Sequence, residues 1–282
     1  MHYGPQYGYG YAFPHPPPPD PPERPAGIAG DPRWPAWYGP AAFGTGIVGT
    51  AIFGTLIVAI VGSKGTTAGV ILTVALDAVF VASALMFASM TERPRPVHFG
   101  LRRAPFWRTL GWAALGMVCF WIVSGTYSTL VKSHGKQTVL QDLHARDSTA
   151  TLIAAAVLVI VIAPAAEEFF FRGFFYRALR TRMGVLVAAL LDGILFGAIH
   201  YSGANTAALL PILAVLGFIF CLVYERTGTL FATIGLHALN NTIAYGVGTH
   251  KWAVAGSIGG TMLTACLVLP LLLGARAAPA RA

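Results

Sequence analysis

Eight apolar runs, at about residues 42–62, 66–90, 106–125, 150–176, 185–200, 207–224, 228–247 and 252–274, limit this chain to very few architectures. Most approach the ~20 residues that a helix needs to cross a bilayer, although the fifth is short. In hydrocarbon every backbone N–H and C=O must find its partner within the protein, so such runs fold as helices. The expected fold class is therefore all-α, a polytopic membrane helical bundle with about eight transmembrane helices. Charged residues make up only 11% of the 282-residue chain, where a soluble domain carries about 25%. Gly46, Thr50 and Gly54, and again Gly256 with Gly260, recur at four-residue spacing. Such a spacing suits close helix–helix contacts.

Residues 1–40 read differently. Tyr3, Tyr7, Tyr9 and Tyr11 stand among glycines, followed by Pro16 to Pro19, Pro21, Pro22 and Pro25. This composition cannot bury a core, and the segment is expected to be a disordered, passive cytoplasmic tail. The net charge of +8 is dispersed between apolar runs. It therefore reads as topology signal and contact with anionic lipid, and no nucleic-acid partner is expected. With the N-terminus in the cytoplasm, and Arg172 set aside, inner segments hold 13 Lys and Arg against 5 in the outer ones. The expectation is a multi-pass protein of the cell membrane with both termini cytoplasmic. Cys119, Cys221 and Cys266 lie inside apolar runs at spacings that suit neither zinc nor disulfides, and read as small core residues.

One stretch breaks the apolar pattern. Between Thr151 and Tyr176 the chain carries Glu167-Glu168-Phe169-Phe170-Phe171-Arg172. A charge near the middle of a membrane helix costs roughly 2.5–3.5 kcal/mol, so its default reading is a functional site. Glu168 and Arg172 are i and i+4 on one helix face and can pair. Glu167 points about 100° away, free for chemistry. His200 ends the fifth run, and His237 with Asn241 forms an i, i+4 pair on the seventh. The fourth and fifth runs turn near Met183, with Glu167 16 residues before it and His200 17 after it. Equal distances from a hairpin turn give similar depth, so the two side chains can face each other. Each has a plainer reading as helix-interface glue. Burying five such polar groups together would cost on the order of 10 kcal/mol, with little stability in return. Asp77 and Asp192 are further intramembrane acids, expected outside the immediate site. His134, His144 and His250 read as solvated loop residues.

Glu167-Glu168-x-x-x-Arg172, Phe196-x-x-x-His200 and His237-x-x-x-Asn241, in this order on successive apolar helices, resemble the CPBP family. These are the type II CAAX prenyl endopeptidases and bacteriocin-processing or immunity proteins. The resemblance covers roughly residues 100–275, and the first 90 residues carry none of it. It divides the chain into the tail (1–40), two N-terminal transmembrane helices (41–100), a CPBP-like catalytic membrane domain (101–275) and a cytoplasmic tail (276–282).

The resemblance implies an intramembrane endopeptidase that hydrolyses a peptide bond of a membrane-associated peptide or protein with a glutamate-activated water. It implies Glu167 as general base, His200 as its partner in activating water, and His237 with Asn241 stabilising the oxyanion. Glu168 and Arg172 would support them. A metalloprotease-like alternative would use Glu167, His200 and His237 as zinc ligands, with water in a fourth position. The metal-free scheme, with no cofactor, is favoured because the His-Glu-x-x-His pairing of many zinc peptidases is absent. Two other functions compete. One is a catalytically silent immunity or scaffold protein of the same fold. The other is a transporter with a proton relay, which the lack of an internal repeat disfavours.

Overall fold

The computed structural model describes residues 34–62, 66–131 and 148–273. Among these the protein is all-helical, with eight helices of 14 residues or more. They are α1 (Tyr38–Val61), α2 (Thr66–Ser89), α3 (Phe106–Leu130), α4 (Thr149–Arg180), α5 (Val185–Ala198), α6 (Leu210–Thr227), α7 (Leu230–Thr249) and α8 (Trp252–Leu272). Six are long and apolar enough to cross a membrane, which makes this a multi-pass membrane protein. The other two depart for separate reasons. α5 is short, and α7 carries His237, Asn240, Asn241 and several Thr and Gly among its apolar residues.

The expected structureless tail of residues 1–40 ends earlier than its composition suggests. Trp34 is buried against Phe99 and Phe174, beneath the guanidinium of Arg177, and α1 already begins at Tyr38. One indole and one tyrosine supply enough apolar area to anchor this end despite the prolines before them. Residues 1–33, the 276–282 tail, and the loops bearing His134 and His144 lie outside the described residues. His250 is exposed at the end of α7.

α4 runs through the centre of the bundle, and its phenylalanines build the core. Phe170, Phe171, Phe174 and Phe175 are fully buried, Phe170 meeting Phe80 of α2 edge-on at 4.9 Å. At one end α4 is clasped to α6 by charge. Arg180 donates to both oxygens of Glu225, at 2.8 and 3.1 Å, and Tyr176 donates its hydroxyl proton to the same carboxylate at 2.9 Å. The short 3₁₀ turn at Pro96–Phe99 docks beside them. There Gly100, at φ 87°, accepts from the Leu230 N–H at 2.8 Å, and Arg102 donates to the Gly228 carbonyl at 2.7 Å.

Small residues set the closest approaches. A Cβ at Gly193 of α5 would come within 2.7 Å of the Phe218 backbone nitrogen, and one at Gly197 within 2.7 Å of the Leu210 carbonyl oxygen. On α6, a Cβ at Gly217 would lie 2.9 Å from the Gly193 Cα, so α5 and α6 cross backbone to backbone. Gly46 meets Phe80 as its spacing suggested, whereas Gly256 and Gly260 face open space. The α7–α8 contact is made by Gly259, against Thr242. Helix rotation, which four-residue spacing leaves undetermined, decides between these neighbours.

Candidate functional site

Pro164 shapes the site before any of its polar side chains does. Lacking an N–H, it cannot donate back to the preceding turn, and its ring would clash there. α4 responds by widening to a π-turn over Leu158–Ile162, in which the Ala163 N–H bonds to the Leu158 carbonyl. A second π-stretch covers Phe169–Phe175, where the Tyr176 N–H reaches the Phe171 carbonyl. Between them, Ala163–Glu168 is a short α-helical segment that carries both glutamates. Each extra residue in a turn rotates the downstream helix by about 100°, and π-bulges recur at functional sites.

Glu168 and Arg172 meet as their spacing predicts. Arg172 Nη1 donates to Glu168 Oε1 at 2.8 Å, with both side chains fully buried. The guanidinium also donates through Nη2 to the Gly217 carbonyl at 2.9 Å, and its Nε stands 3.5 Å from Asp192 Oδ1. Its flat face lies 4.4 Å from the Phe196 ring centroid. One arginine therefore compensates two buried carboxylates, and the close α5–α6 crossing delivers both Asp192 and the Gly217 carbonyl to it. Asp192 thus belongs to the layer that supports the site.

Three helices bring Glu167, His200 and His237 together. His200 Nε2 lies 3.8 Å and His237 Nε2 3.9 Å from Glu167 Oε2. The far nitrogen of each imidazole is already committed. His200 Nδ1 lies 2.8 Å from the Phe196 carbonyl oxygen, and His237 Nδ1 3.0 Å from Glu168 Oε1. Both partners accept only, so both Nδ1 atoms carry their proton and both Nε2 atoms are left for chemistry. Glu167 Oε2 is itself buried and receives no hydrogen bond from the described residues. The Glu167 side chain as a whole is partly accessible, at 17%, and that of His200 is more so, at 26%. The result is a proton-accepting centre with an open side.

Asn241 sits one turn beyond His237 but is turned elsewhere. Its Nδ2 donates to the Val159 carbonyl at 2.8 Å, while its Oδ1 accepts from Asn240 at 3.3 Å. One turn further, Tyr245 donates its hydroxyl proton to the Leu152 carbonyl at 2.6 Å. Residues 237, 241 and 245 therefore form one stripe of donors along α7, each bonded to α4. Tyr245 and Pro164 escaped sequence reasoning, although the four-residue period and a proline three residues before Glu167 were both visible. Asp77 also lies nearer than expected. α2 packs on the Ala163–Glu168 segment, and the Asp77 carboxyl is within electrostatic reach of Glu167, with a buried Oδ2 that no described group bonds.

The geometry can be tested against a zinc site. Ligand distances of about 2.0–2.2 Å in a tetrahedral set put neighbouring donor atoms about 3.3 Å apart. The two separations from Glu167 Oε2 are wider, at 3.8 and 3.9 Å. Among the described residues no group of three His, Cys, Asp or Glu side chains is arranged to hold a metal ion. The metalloprotease-like expectation therefore finds no support in the arrangement of the donors.

Residues 149–243 match the family model described as Type II CAAX prenyl endopeptidase Rce1-like. No curated protein and no solved structure matches the chain. The matched segment is narrower than the 100–275 expected from the motifs. It starts with α4 and closes two residues beyond Asn241, so it contains all three motifs. A family of membrane-embedded proteases implies a bilayer and a membrane-associated substrate in general terms. Over residues 149–243 this chain is therefore similar to the type II CAAX prenyl endopeptidase Rce1-like domain of the CPBP family.

Proposed function

We propose that this protein is an intramembrane endopeptidase that hydrolyses a peptide bond of a membrane-associated substrate with a water activated by Glu167. The observation that carries the reading is the convergence, from three helices, of Glu167 Oε2 with the free Nε2 atoms of His200 and His237, at 3.8 and 3.9 Å. A water between them gives one proton to Glu167 as its oxygen bonds to the substrate's carbonyl carbon. His200 Nε2 accepts the water's other hydrogen in a hydrogen bond and fixes the line of attack. The tetrahedral intermediate then breaks its C–N bond, and Glu167 returns the proton to the departing amine. The carboxylate ends as it began.

The oxyanion needs donors. His237 Nε2 faces the site while Glu168 Oε1, at 3.0 Å from Nδ1, holds the ring, and the family resemblance assigns this imidazole to the oxyanion. Asn241 has a second amide N–H beyond the one given to Val159, and the family resemblance assigns it to the same oxygen. The scheme routes no step through a metal. The termini are proposed to face the cytoplasm, on the balance of positive charge between alternate loops.

The test compares membrane-associated peptides in cells carrying the wild-type protein or Glu167→Gln, alongside turnover of a farnesylated CAAX peptide by the purified proteins. Precursors that accumulate with Glu167→Gln, together with loss of turnover, are the expected result. Identical peptide profiles and equal turnover would refute the hydrolase and leave the silent immunity or scaffold protein. Turnover is also expected to survive exhaustive chelation. Loss that zinc restores would overturn the metal-free scheme.

A further inference from the structure

The π-turn over Leu158–Ile162 leaves the Val159 carbonyl without a backbone partner. The N–H four residues after Val159 belongs to Ala163, which bonds to Leu158 instead. The N–H five residues after it does not exist, because residue 164 is proline. The Val159 carbonyl is therefore orphaned by the geometry that Pro164 imposes. Asn241 Nδ2 donates to this oxygen at 2.8 Å, and Asn240 holds the Asn241 amide from the other side at 3.3 Å. Neighbouring side chains that re-satisfy freed carbonyls are what make proline tolerable in a membrane helix.

We propose that Asn241 is a positioning residue, a clamp that substitutes for the backbone donor Pro164 removes and thereby fixes the bulge that aims Glu167 at the two histidines. The site depends on this register. Glu167 lies three residues beyond Pro164, and releasing the bulge would rotate it by about 100°. The clamp also works beside the His237–Glu168 bond, so two adjacent turns of α7 grip α4 on either side of Pro164. The clamp uses the N–H given to the Val159 carbonyl and leaves the second amide N–H for the oxyanion, so it is a role beside that donation and not a replacement for it. Its kinetic consequence rests on the hydrolase reading, whereas the clamp itself does not.

A double-mutant cycle between positions 241 and 164 separates the two. In Pro164→Ala the backbone regains an N–H. Without the ring that enforces the bulge the helix is expected to relax to α register, so that Ala163 returns to the Val159 carbonyl, residue 164 serves Ile160, and Val159 is satisfied without Asn241. The thermal midpoint of the full-length protein in lipid nanodiscs is measured for wild type, Asn241→Ala, Asn241→Leu, Pro164→Ala and both double variants. Each Asn241 substitution is expected to lower the midpoint by about 5 °C in the Pro164 background, the scale of one stranded buried carbonyl. In the Pro164→Ala background the drop should be less than half as large. An Asn241 variant that folds only when Pro164→Ala is also present supports the clamp equally. Equal drops in both backgrounds, or failure to fold in both, would overturn it.

Turnover of the farnesylated CAAX peptide supplies the kinetic readout. Asn241→Leu and Pro164→Ala should each lower kcat at least tenfold with KM within about threefold, and the double variant should lose little more, whereas loss of an oxyanion donor alone would multiply the loss in either background. A raised KM with unchanged kcat would make Asn241 a substrate contact and refute the proposal. If the wild-type protein does not turn this peptide over, the hydrolase reading is what suffers, and the melting cycle still decides the clamp.

Discussion

His200 and Arg172 show how differently two polar side chains of one site are held. His200, in the turn that follows α5, bonds through Nδ1 to the Phe196 carbonyl and offers Nε2 to Glu167, so removing it strands no buried charge. His200→Ala should therefore abolish turnover and change stability by no more than about 0.5 kcal/mol. A large loss of stability in denaturant titration would show a structural role instead. Arg172 is the opposite case. It is fully buried and stands between Glu168 and Asp192, and its replacement leaves two carboxylates uncompensated. Arg172→Leu should cost about 3–5 kcal/mol or prevent folding, the range found when one partner of a buried ion pair is removed. A variant as stable as wild type would remove the guanidinium from that role.

Glycine contacts set the geometry of the elements around these residues. α5 can carry His200 and Asp192 to α4 only because Gly193 and Gly197 let it lie directly on α6, and Gly217 leaves room for Arg172 Nη2, which would sit 3.0 Å from a Cβ there. Gly217→Val should part α5 from α6, break the Arg172–Gly217 bond and cost about 1–3 kcal/mol through overpacking. Turnover should fall with it. Gly260 meets nothing within 4 Å, so Gly260→Ala is the matched control and should leave melting unchanged or slightly raised. If both substitutions behaved alike, the crossing would not depend on glycine. α4 is shaped in turn by Pro164 and by two π-stretches that no periodicity announces.

At the scale of the whole molecule, the family-matched segment 149–243 does not stand alone. α2 lays Phe80 on Phe170 and brings Asp77 toward Glu167, while Trp34 closes the end of the bundle against Phe99 and Phe174. Trp34→Ala should cost about 3–5 kcal/mol, the usual loss for a large aromatic in a packed core. A neutral result would mean that the segment before α1 is held by other contacts. Reporter fusions at each terminus and in the segment after Leu130 test the orientation. Cytoplasmic signals at both ends, with the opposite signal between α3 and α4, are expected from the positive charges.

The order of apolar and polar residues alone determined that this chain is a bundle of membrane helices, because hydrocarbon admits no other backbone for runs of that length. It also brought Glu167, Glu168, Arg172, His200, His237 and Asn241 forward, because polar side chains in such runs are costly and therefore few. Only the tertiary structure decided what each of them touches. A side chain's neighbours depend on helix rotation and crossing, which Pro164, Gly193 and Gly217 alter locally through one missing N–H and two missing Cβ atoms. For this reason Asp192, expected outside the immediate site, lies against Arg172 in the layer that supports it, and Asn241, singled out on its spacing, reaches a carbonyl that a proline on another helix had freed.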